Sequence, residues 1–366
     1  MTPGKDRITE YRLEKKENIF LEKGPVGRLQ SHPELYRYEG NPILTSADVP
    51  YPVNLAFNAG VAVYQGKYYM AFRCDVFKPD NNFALRHSGT GFAVSDDGIQ
   101  WQVFNEEIQF HYNGTNLLWV NDARLTVIEE RLYLSFCFNS MHGERPGIAV
   151  WTGGVHFEVI YLGVPAQRNL ILCPDKICGN YWRLERPHTK RSVSDIWISL
   201  SPDLKYWGDA ELLLGVEDVA FANVKIGGGP PPIKTHAGYL MIFHAVDNDP
   251  ARTISYPNGT RWQSRYTAGV ALLDSADPKK VIGISHTPLL VPETEYETGN
   301  IDVFWRENVV FPCGAILDDD EMLKLYYGAG DYSVCIASIH LNDILASISP
   351  VSRHAQFAVI SPENFV

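Results

Sequence analysis

The chain has 366 residues, of which 45% are hydrophobic and 12% aromatic, so it can bury a substantial core in one long all-β domain or in two domains. Its formal net charge is −11, from 32 basic and 43 acidic residues. Because the sequence contains neither a basic block nor an RNA-binding motif, we expect no nucleic-acid partner.

The N-terminal segment MTPGKDRITEYRLEKKENIFLEKG is charged throughout and lacks the apolar core of a signal peptide. The sequence also lacks an apolar run of about 18 residues, the length that spans a membrane. We therefore expect a cytoplasmic protein without a membrane partner. Residues 1–34 are predicted to form an N-terminal arm, either a loose tail or an element that packs on a neighbouring subunit of a homo-oligomer.

Strand-like patterns dominate from Tyr36 onward, and one two-strand phrase recurs five times. Each copy is an apolar, β-prone run, a short polar or glycine-containing turn, and a second β-prone run. The copies are FNAGVAVYQGKYYMAFR (57–73), DARLTVIEERLYLSF (122–136), RNLILCPDKICGNYWRLER (168–186), KIGGGPPPIKTHAGYLMIFH (225–244) and NVVFPCGAILDDDEMLKLYYGAGD (308–331). Their spacing leaves room for one four-stranded blade each. The sequence therefore predicts an all-β fold, a five-bladed β-propeller over residues 35–366.

Two shorter segments share the pattern Ser-x-Asp-x-x-x-Trp, namely SDDGIQW (95–101) and SPDLKYW (201–207). We interpret both as turns between outer strands of a blade, in which the Asp caps turn amides and the Trp packs between strands. Helical patterns are confined to short stretches such as 338–347. The glycines at 227–229 precede three prolines, and without a GK[ST] motif or a following helix they do not form a P-loop.

The six cysteines lie mostly inside apolar strand runs, which favours buried structural thiols in a reducing compartment. Cys173 and Cys178 could be imagined as two ligands of a metal ion, but the sequence contains no matching second pair of ligands. We therefore predict no metal site and no cofactor.

Polar residues stand at the open ends of the five predicted hairpins, where a propeller places its binding cleft. They are Asn58, Arg73, Asp122, Arg124, Arg168, Arg186, Lys225, His244, Asn308 and Asp331. A lone Asp at the start of a strand is more often a cap than a catalyst. A cluster of cations, however, is costly without an anion to bind, and arginine forks fit phosphate oxygens in pairs. One carboxylic acid beside a phosphate pocket predicts a phosphorylase, whereas a second carboxylate in place of the cations would predict a hydrolase.

At these residues the sequence resembles glycoside hydrolase family 130, the β-mannoside phosphorylases, which are five-bladed propellers. The resemblance covers roughly residues 36–345 and is carried by the five hairpin segments in order. It implies that Asp122 is the sole general acid. It also implies a phosphate site and a mannosyl subsite: the first comprises Arg168, Arg186, Lys225 and His244, and the second comprises Asn58 and Asp331, supported by Arg73, Asp75 and Arg124.

The implied reaction inverts the anomeric centre. A β-mannosyl oligosaccharide and inorganic phosphate, the co-substrate, give α-mannose 1-phosphate and a shortened sugar. We favour a β-1,4 linkage with β-1,2 next, and glucose, N-acetylglucosamine and mannose are all acceptor candidates. An inverting β-mannosidase and a non-catalytic sugar-binding propeller are the alternatives.

Three positions depart from the family pattern: Asn121 where an acidic or aromatic residue is common, Ala123 where proline is frequent, and Ala59 where many members have serine. The segment 297–308 reads as a distinct loop, with Trp305 and Arg306 as candidate acceptor-subsite residues. These departures bear on the acceptor and the linkage, and they leave the catalytic set intact.

Overall fold

Five small antiparallel sheets, taken in chain order around a common axis, build the protein as a five-bladed β-propeller with an added parallel strand pair in the second blade. The computed structural model describes residues 23–188, 193–256, 259–299 and 306–354. The predicted fold class is therefore confirmed.

The N-terminal half of the chain supplies one short strand and the first two blades. The strands are β1 (Tyr36–Arg37); β2 (Leu55–Tyr64), β3 (Lys67–Lys78), β4 (Asn81–Ser95) and β5 (Gln102–Val103) of blade 1; and β6 (Gln109–Tyr112), β7 (Thr115–Leu117), β8 (Val120–Ile128), β9 (Arg131–Ser140), β10 (Gly143–Gly153) and β11 (His156–Leu162) of blade 2. In blade 2, β8 is innermost and the β6–β7 hairpin extends the outer edge by parallel pairing of β6 with β11.

The C-terminal half supplies blades 3 to 5. The strands are β12 (Gln167–Leu172), β13 (Tyr181–Pro187), β14 (Ile196–Ser201) and β15 (Gly208–Leu214) of blade 3; β16 (Lys225–Gly228), β17 (Ile233–Thr235), β18 (Gly238–Asn248), β21 (Ser264–Leu273) and β22 (Lys280–Ser285) of blade 4, with the separate pair β19 (Ile254–Ser255) and β20 (Arg261–Trp262); β23 (Val310–Leu317), β24 (Met322–Ala329) and β25 (Ser333–His340) of blade 5; and β26 (Ile348–His354), which returns to the edge of blade 4.

Helices are short and few in the described residues. Three are 3-10 helices and two are α-helices: Ser46–Asp48, Val216–Asp218, Pro250–Arg252, α1 (Glu295–Thr298) and α2 (Leu341–Ala346). The prediction of a helix at 338–347 is wrong at its start. Residues 338–340 form the end of β25, because cross-strand pairing with β24 continues to His340. No helix of the described ranges has the length and apolar character needed to cross a membrane.

Each of the five recurring phrases forms the two inner strands of one blade, as predicted. The innermost strands β2, β8, β12, β16 and β23 pack around the axis in chain order. Five apolar clusters fill the spaces between neighbouring blades. Between blades 3 and 4, for example, the rings of Trp182 and Tyr239 meet edge to face at 5.2 Å. Burial of these clusters is the main stabilising contribution to the ring.

The N-terminal segment closes the ring, because β1 pairs with β25 at the outer edge of blade 5. Arg37, the last residue of this strand, forms an ion pair with Glu297, whose carboxylate is fully buried and also accepts a hydrogen bond from the Tyr327 hydroxyl at 2.7 Å. Within the predicted arm, Lys23 donates to the Val216 and Val219 carbonyls between blades 3 and 4. Residues 1–22 of that arm lie outside the described residues.

The two Ser-x-Asp turns have the predicted caps. Asp97 accepts from the backbone N–H groups of Ile99 and Gln100, and Asp203 does the same for the two residues at 205–206. All six cysteines are free, and five are buried as expected, whereas Cys178 is exposed at a hairpin turn.

Candidate active site

The first three blades share a β-bulge near the start of the innermost strand. In each bulge, two residues of the inner strand lie opposite one residue of the next strand, and the first of the two has a left-handed backbone. These residues are Asn58 (φ 53°), Asp122 (φ 55°) and Asn169 (φ 51°). Asn and Asp tolerate positive φ better than most side chains, and bulges re-aim side chains beside active sites. Asp122 therefore occupies, in blade 2, the position that an amide occupies in blades 1 and 3.

Asp122 is buried and paired with a cation from the next blade. Its Oδ2 lies 2.9 Å from Arg168 Nη2, and Glu144 Oε1 lies 3.9 Å from the other terminal nitrogen of the same guanidinium. Burial alone would raise the pKa of the Asp122 carboxyl, but the charges of Arg168 and Arg73 outweigh it and hold the pKa below its ordinary value. Asp122 is thus ionised at neutral pH while Arg168 remains beside it.

Arg186 lies directly opposite Arg168 in the β12–β13 ladder, and its Nη1 contacts His244 Nε2 at 3.0 Å. Because arginine can only donate, His244 Nε2 accepts this bond and the imidazole is neutral. Burial, followed by the charge of Arg186, holds the pKa of His244 well below its ordinary value. Gly227 permits this arrangement, since a Cβ there would collide with the imidazole. The polyglycine run therefore provides close packing beneath the cations.

Lys225 completes the group of cations at the start of β16. Burial, followed by the charges of Arg186 and Arg168, lowers the pKa of Lys225 to about 8. Burial, followed by the charge of Arg168, lowers the pKa of Arg186 to about 10. Lys225 Nζ lies 5.0 Å from the centre of the Tyr266 ring. Neither Lys225 nor Arg186 forms a salt bridge with a carboxylate of the described ranges, so their charges are available to an anion.

The residues expected at the mannosyl subsite come from blades 1 and 5. Asp75 holds Arg73 through two hydrogen bonds of 2.9 and 2.8 Å, and it is buried. Asn58 is buried next to Gly328, which leaves space for its amide oxygen. Burial raises the pKa of Asp331 despite the opposing charge of Arg73. The negative charges of Asp122 and Asp75 contribute to this rise in the pKa of Asp331.

Arg124 does not reach the open cleft. Its side chain is fully buried, with Nε donating to the Gly229 carbonyl of blade 4 at 2.8 Å and Nη1 donating to the Ala123 carbonyl. Its guanidinium carbon lies 5.4 Å from the centre of the Phe311 ring. Arg124 thus ties blade 2 to blade 4 beneath the cleft, and its charge contributes to the low pKa of Asp122.

Arg306, one of the two candidate acceptor-side residues, stacks on Trp262 with 4.9 Å between the guanidinium carbon and the ring centre. Trp262 Nε1 donates to the Glu307 carbonyl at 2.7 Å. Trp305 lies outside the described residues. Among the described residues, no group of three or more His, Cys, Asp or Glu side chains could hold a metal ion.

A family sequence profile described as β-1,4-mannooligosaccharide phosphorylase matches residues 30–349. The chain belongs to glycoside hydrolase family 130. It is 29% identical to a β-1,2-mannobiose phosphorylase of Listeria innocua serovar 6a, with 85% of this chain and 97% of the relative aligned. It is 32% identical to a β-1,4-mannooligosaccharide phosphorylase of Ruminococcus albus, with 85% of this chain and 90% of the relative aligned. The crystallised Listeria innocua β-1,2-mannobiose phosphorylase, in complex with β-1,2-mannobiose, superposes with a TM-score of 0.71 at 28% identity, covering 86% of this chain and 98% of that one.

Sequence reasoning from the family 130 pattern missed three residues that the structure brings to the site. Asn169 follows Arg168 directly and could have been found as the equivalent of Asn58 in the third repeat. Glu144 and Tyr266 lie far from the hairpin openings in sequence, on β10 and β21, and no pattern in the sequence marks them.

Proposed function

We propose that this chain is an inverting β-mannoside phosphorylase. The observation that carries the proposal is the group of three cations, Arg168, Arg186 and Lys225, gathered beside Asp122. Two of these cations lack a carboxylate partner among the described residues, and burial lowers the pKa of both. An anion that binds there regains the electrostatic energy that burying the cations costs, and phosphate matches the paired forks of two arginines.

In the proposed reaction an oxygen of phosphate attacks the anomeric carbon of the mannosyl unit from the face opposite the leaving group. The new carbon–oxygen bond to phosphate forms as the glycosidic bond breaks, so the configuration inverts. The leaving oxygen receives a proton that originates on Asp122, directly or through a sugar hydroxyl. The proton of the hydrogen phosphate restores the acid, and the products are α-mannose 1-phosphate and a shortened sugar.

Phosphate also prepares Asp122 for this role. Arg168 holds the free carboxylate at 2.9 Å and keeps its pKa low. When Arg168 turns to phosphate and the dianion neutralises the neighbouring cations, the pKa of Asp122 rises and the carboxyl takes up a proton. His244 serves the phosphate through Arg186, which it fixes at 3.0 Å. Asn58, Arg73, Asp75 and Asp331 are assigned to the mannosyl unit, and Arg124 supports them from below.

We propose a β-1,4-mannosyl oligosaccharide as the substrate, with β-1,2 as the second linkage. The family description favours β-1,4, and the two relatives act on one linkage each. Supplying α-mannose 1-phosphate with glucose, N-acetylglucosamine or mannose, and determining the linkage of the disaccharide by NMR, identifies both acceptor and linkage. Exclusive formation of β-1,2 products would overturn our choice.

The phosphorolytic activity itself is tested by incubating the protein with β-1,4- and β-1,2-mannobiose, with and without phosphate. We expect α-mannose 1-phosphate only in the presence of phosphate. Release of free mannose at the same rate without phosphate would make the protein a hydrolase instead. Because side chains supply all the cations in this scheme, EDTA is expected to leave the rate unchanged.

A further inference from the structure

Trp119 has a strained backbone conformation just before the innermost strand of blade 2. Its φ is 61°, in the left-handed region that bulky side chains rarely adopt, and it lies three positions before Asp122. The Trp119 carbonyl accepts hydrogen bonds from the backbone N–H of Asn139 at 3.0 Å and from its side-chain amide at 3.4 Å. The fold therefore maintains an unfavourable conformation close to the proposed acid, and strain of this kind is concentrated at ligand sites.

A histidine–carboxylate pair of blade 1 packs against the indole of Trp119. The His87 ring in β4 meets the indole edge to face, with ring centres 6.1 Å apart, and His87 Nε2 contacts Glu107 Oε2 at 2.7 Å. Gly89 makes room for this carboxylate, because a Cβ there would collide with it. Trp119, His87 and Glu107 are all half-buried, so this cluster presents an aromatic ring beside a polar pair at the surface of the cleft.

A contact between blades places the cluster at the same end of the propeller as the proposed acid. Asn121 Nδ2 donates to Ser88 Oγ at 3.3 Å, and Ser88 lies opposite Asp75 in the β3–β4 ladder. Asp75 is assigned to the mannosyl subsite. Because β8 begins at the open end of the cleft, Trp119, which precedes this strand, lies outside Asp122. The indole thus stands at the rim, between blades 1 and 2.

The stereochemistry of the proposed reaction determines where the leaving sugar lies. Phosphate attacks from the side of the cations in blades 3 and 4, and inversion requires the leaving group to depart on the opposite face. Asp122 supplies the proton for the leaving oxygen, so the departing sugar occupies the region next to Asp122 and outside the mannosyl unit. Trp119, with the exposed Leu118 beside it, gives this region an apolar wall.

We propose that Trp119 is a specificity-determining residue of the acceptor site, where its indole packs on the sugar that leaves with the glycosidic oxygen. This inference rests on the proposed phosphorylase function. A pyranose ring presents carbon–hydrogen groups on its faces, and packing against an indole removes the apolar surface of both from water. The same contact holds the incoming acceptor when the reaction runs towards synthesis.

The test is the synthetic reaction of Trp119→Gly, with α-mannose 1-phosphate as the donor. The acceptor is whichever of glucose, N-acetylglucosamine and mannose the wild type uses best. Glycine adopts positive φ without strain, so this variant keeps the backbone at the start of β8. We expect KM for the acceptor to rise roughly 10-fold, because one face of the sugar stays in water. KM for α-mannose 1-phosphate should be unchanged.

Trp119→Phe retains an aromatic ring and is expected to raise KM for the acceptor by a smaller factor. Gln65→Gly is the matched control, because Gln65 is exposed in the β2–β3 turn and also has a positive φ, of 49°. It is expected to leave both KM values unchanged.

An unchanged KM for the acceptor in Trp119→Gly would overturn the inference. An equal rise in KM for α-mannose 1-phosphate would do the same, because that donor carries no acceptor sugar. A wild-type protein that forms no disaccharide from α-mannose 1-phosphate and any of the three sugars would overturn the proposed function, and this inference with it.

Discussion

At the scale of single residues, the proposed reaction makes Asp122 and phosphate compete for one guanidinium, that of Arg168. Arg168 Nη2 is 2.9 Å from Asp122 Oδ2 in the structure, and the proposed reaction needs Arg168 on the phosphate. A carboxylate that gives up its cation becomes a stronger base and binds a proton more tightly. In the proposed reaction, this exchange couples phosphate binding to the protonation of Asp122.

The Asp122→Asn variant separates the two roles. Loss of the acid is expected to lower kcat by roughly 10²–10⁴-fold. Phosphate binding, in contrast, should become tighter, because the neutral amide no longer holds Arg168. Calorimetry with phosphate alone measures the second effect and turnover of mannobiose the first. Undiminished turnover would remove Asp122 as the acid, and weaker phosphate binding would contradict the sharing of Arg168.

Lys225 is expected to give the proposed phosphate site a dependence on pH. Its pKa of about 8 means that the free site loses this charge as pH rises through that value. Sulfate is a suitable probe because its charge is constant over this range. We expect sulfate affinity to fall between about pH 7 and 9, and Lys225→Arg to flatten that fall because arginine stays charged. An identical pH profile for the two proteins would assign the titration to another group.

At the scale of secondary-structure elements, the propeller depends on the apolar clusters between blades. Phe92 in β4 stacks with Tyr69 and Phe104 at 5.7 and 5.4 Å and meets Phe157 of blade 2 edge to face. We expect Phe92→Ala to lower the free energy of unfolding by about 3–5 kcal/mol, since it leaves a cavity between two sheets. Chemical denaturation measures this. Tyr206→Ala, at a position 76% exposed, is the control, and an equal loss in both would contradict the role of the cluster.

Among the secondary-structure elements, the sequence predicts the hairpins but not the bulges or the contacts between blades. The sequence predicts all five hairpins, because apolar runs and turn residues are local signals, and the structure confirms them. The bulge at Asp122 is not readable, because it depends on pairing with the neighbouring strand. Arg124 follows this change of register. The sequence predicts that Arg124 supports the substrate cleft, whereas the structure buries its side chain beneath the cleft. Contacts between blades, such as Arg168 with Asp122 and Tyr266 with Lys225, depend on the closed ring. Sequence patterns can predict that such residues lie in one region, but they do not predict which residues contact each other.

At the scale of the whole molecule, the ring is closed by the N-terminal strand and locked by a buried ion pair. Glu297 is fully buried, and its carboxylate accepts hydrogen bonds from Arg37, from Tyr327 and from two backbone N–H groups. Removing Arg37 leaves a buried carboxylate without its cation, which typically costs about 3–5 kcal/mol.

Arg37→Met is therefore expected to lower the free energy of unfolding by about that amount in chemical denaturation. Lys67→Met, which breaks an exposed pair with Asp96, should cost less than about 1 kcal/mol. If the two variants lose equal stability, the ion pair does not lock the ring. Phosphate affinity of the folded Arg37→Met protein is expected to be unchanged, because Arg37 lies on β1 at the outer edge of blade 5, where it pairs with Glu293 and Glu297.

The three bulges also explain how a symmetric scaffold can support an asymmetric reaction. Asparagine and aspartate are nearly isosteric, and they differ by one nitrogen in place of one oxygen. The equivalent bulges in blades 1, 2 and 3 contain Asn58, Asp122 and Asn169, and the backbone has nearly the same left-handed conformation at the three positions. In the proposed reaction, a single atomic exchange in one copy of the recurring hairpin therefore breaks the rotational symmetry and determines which blade provides the proton.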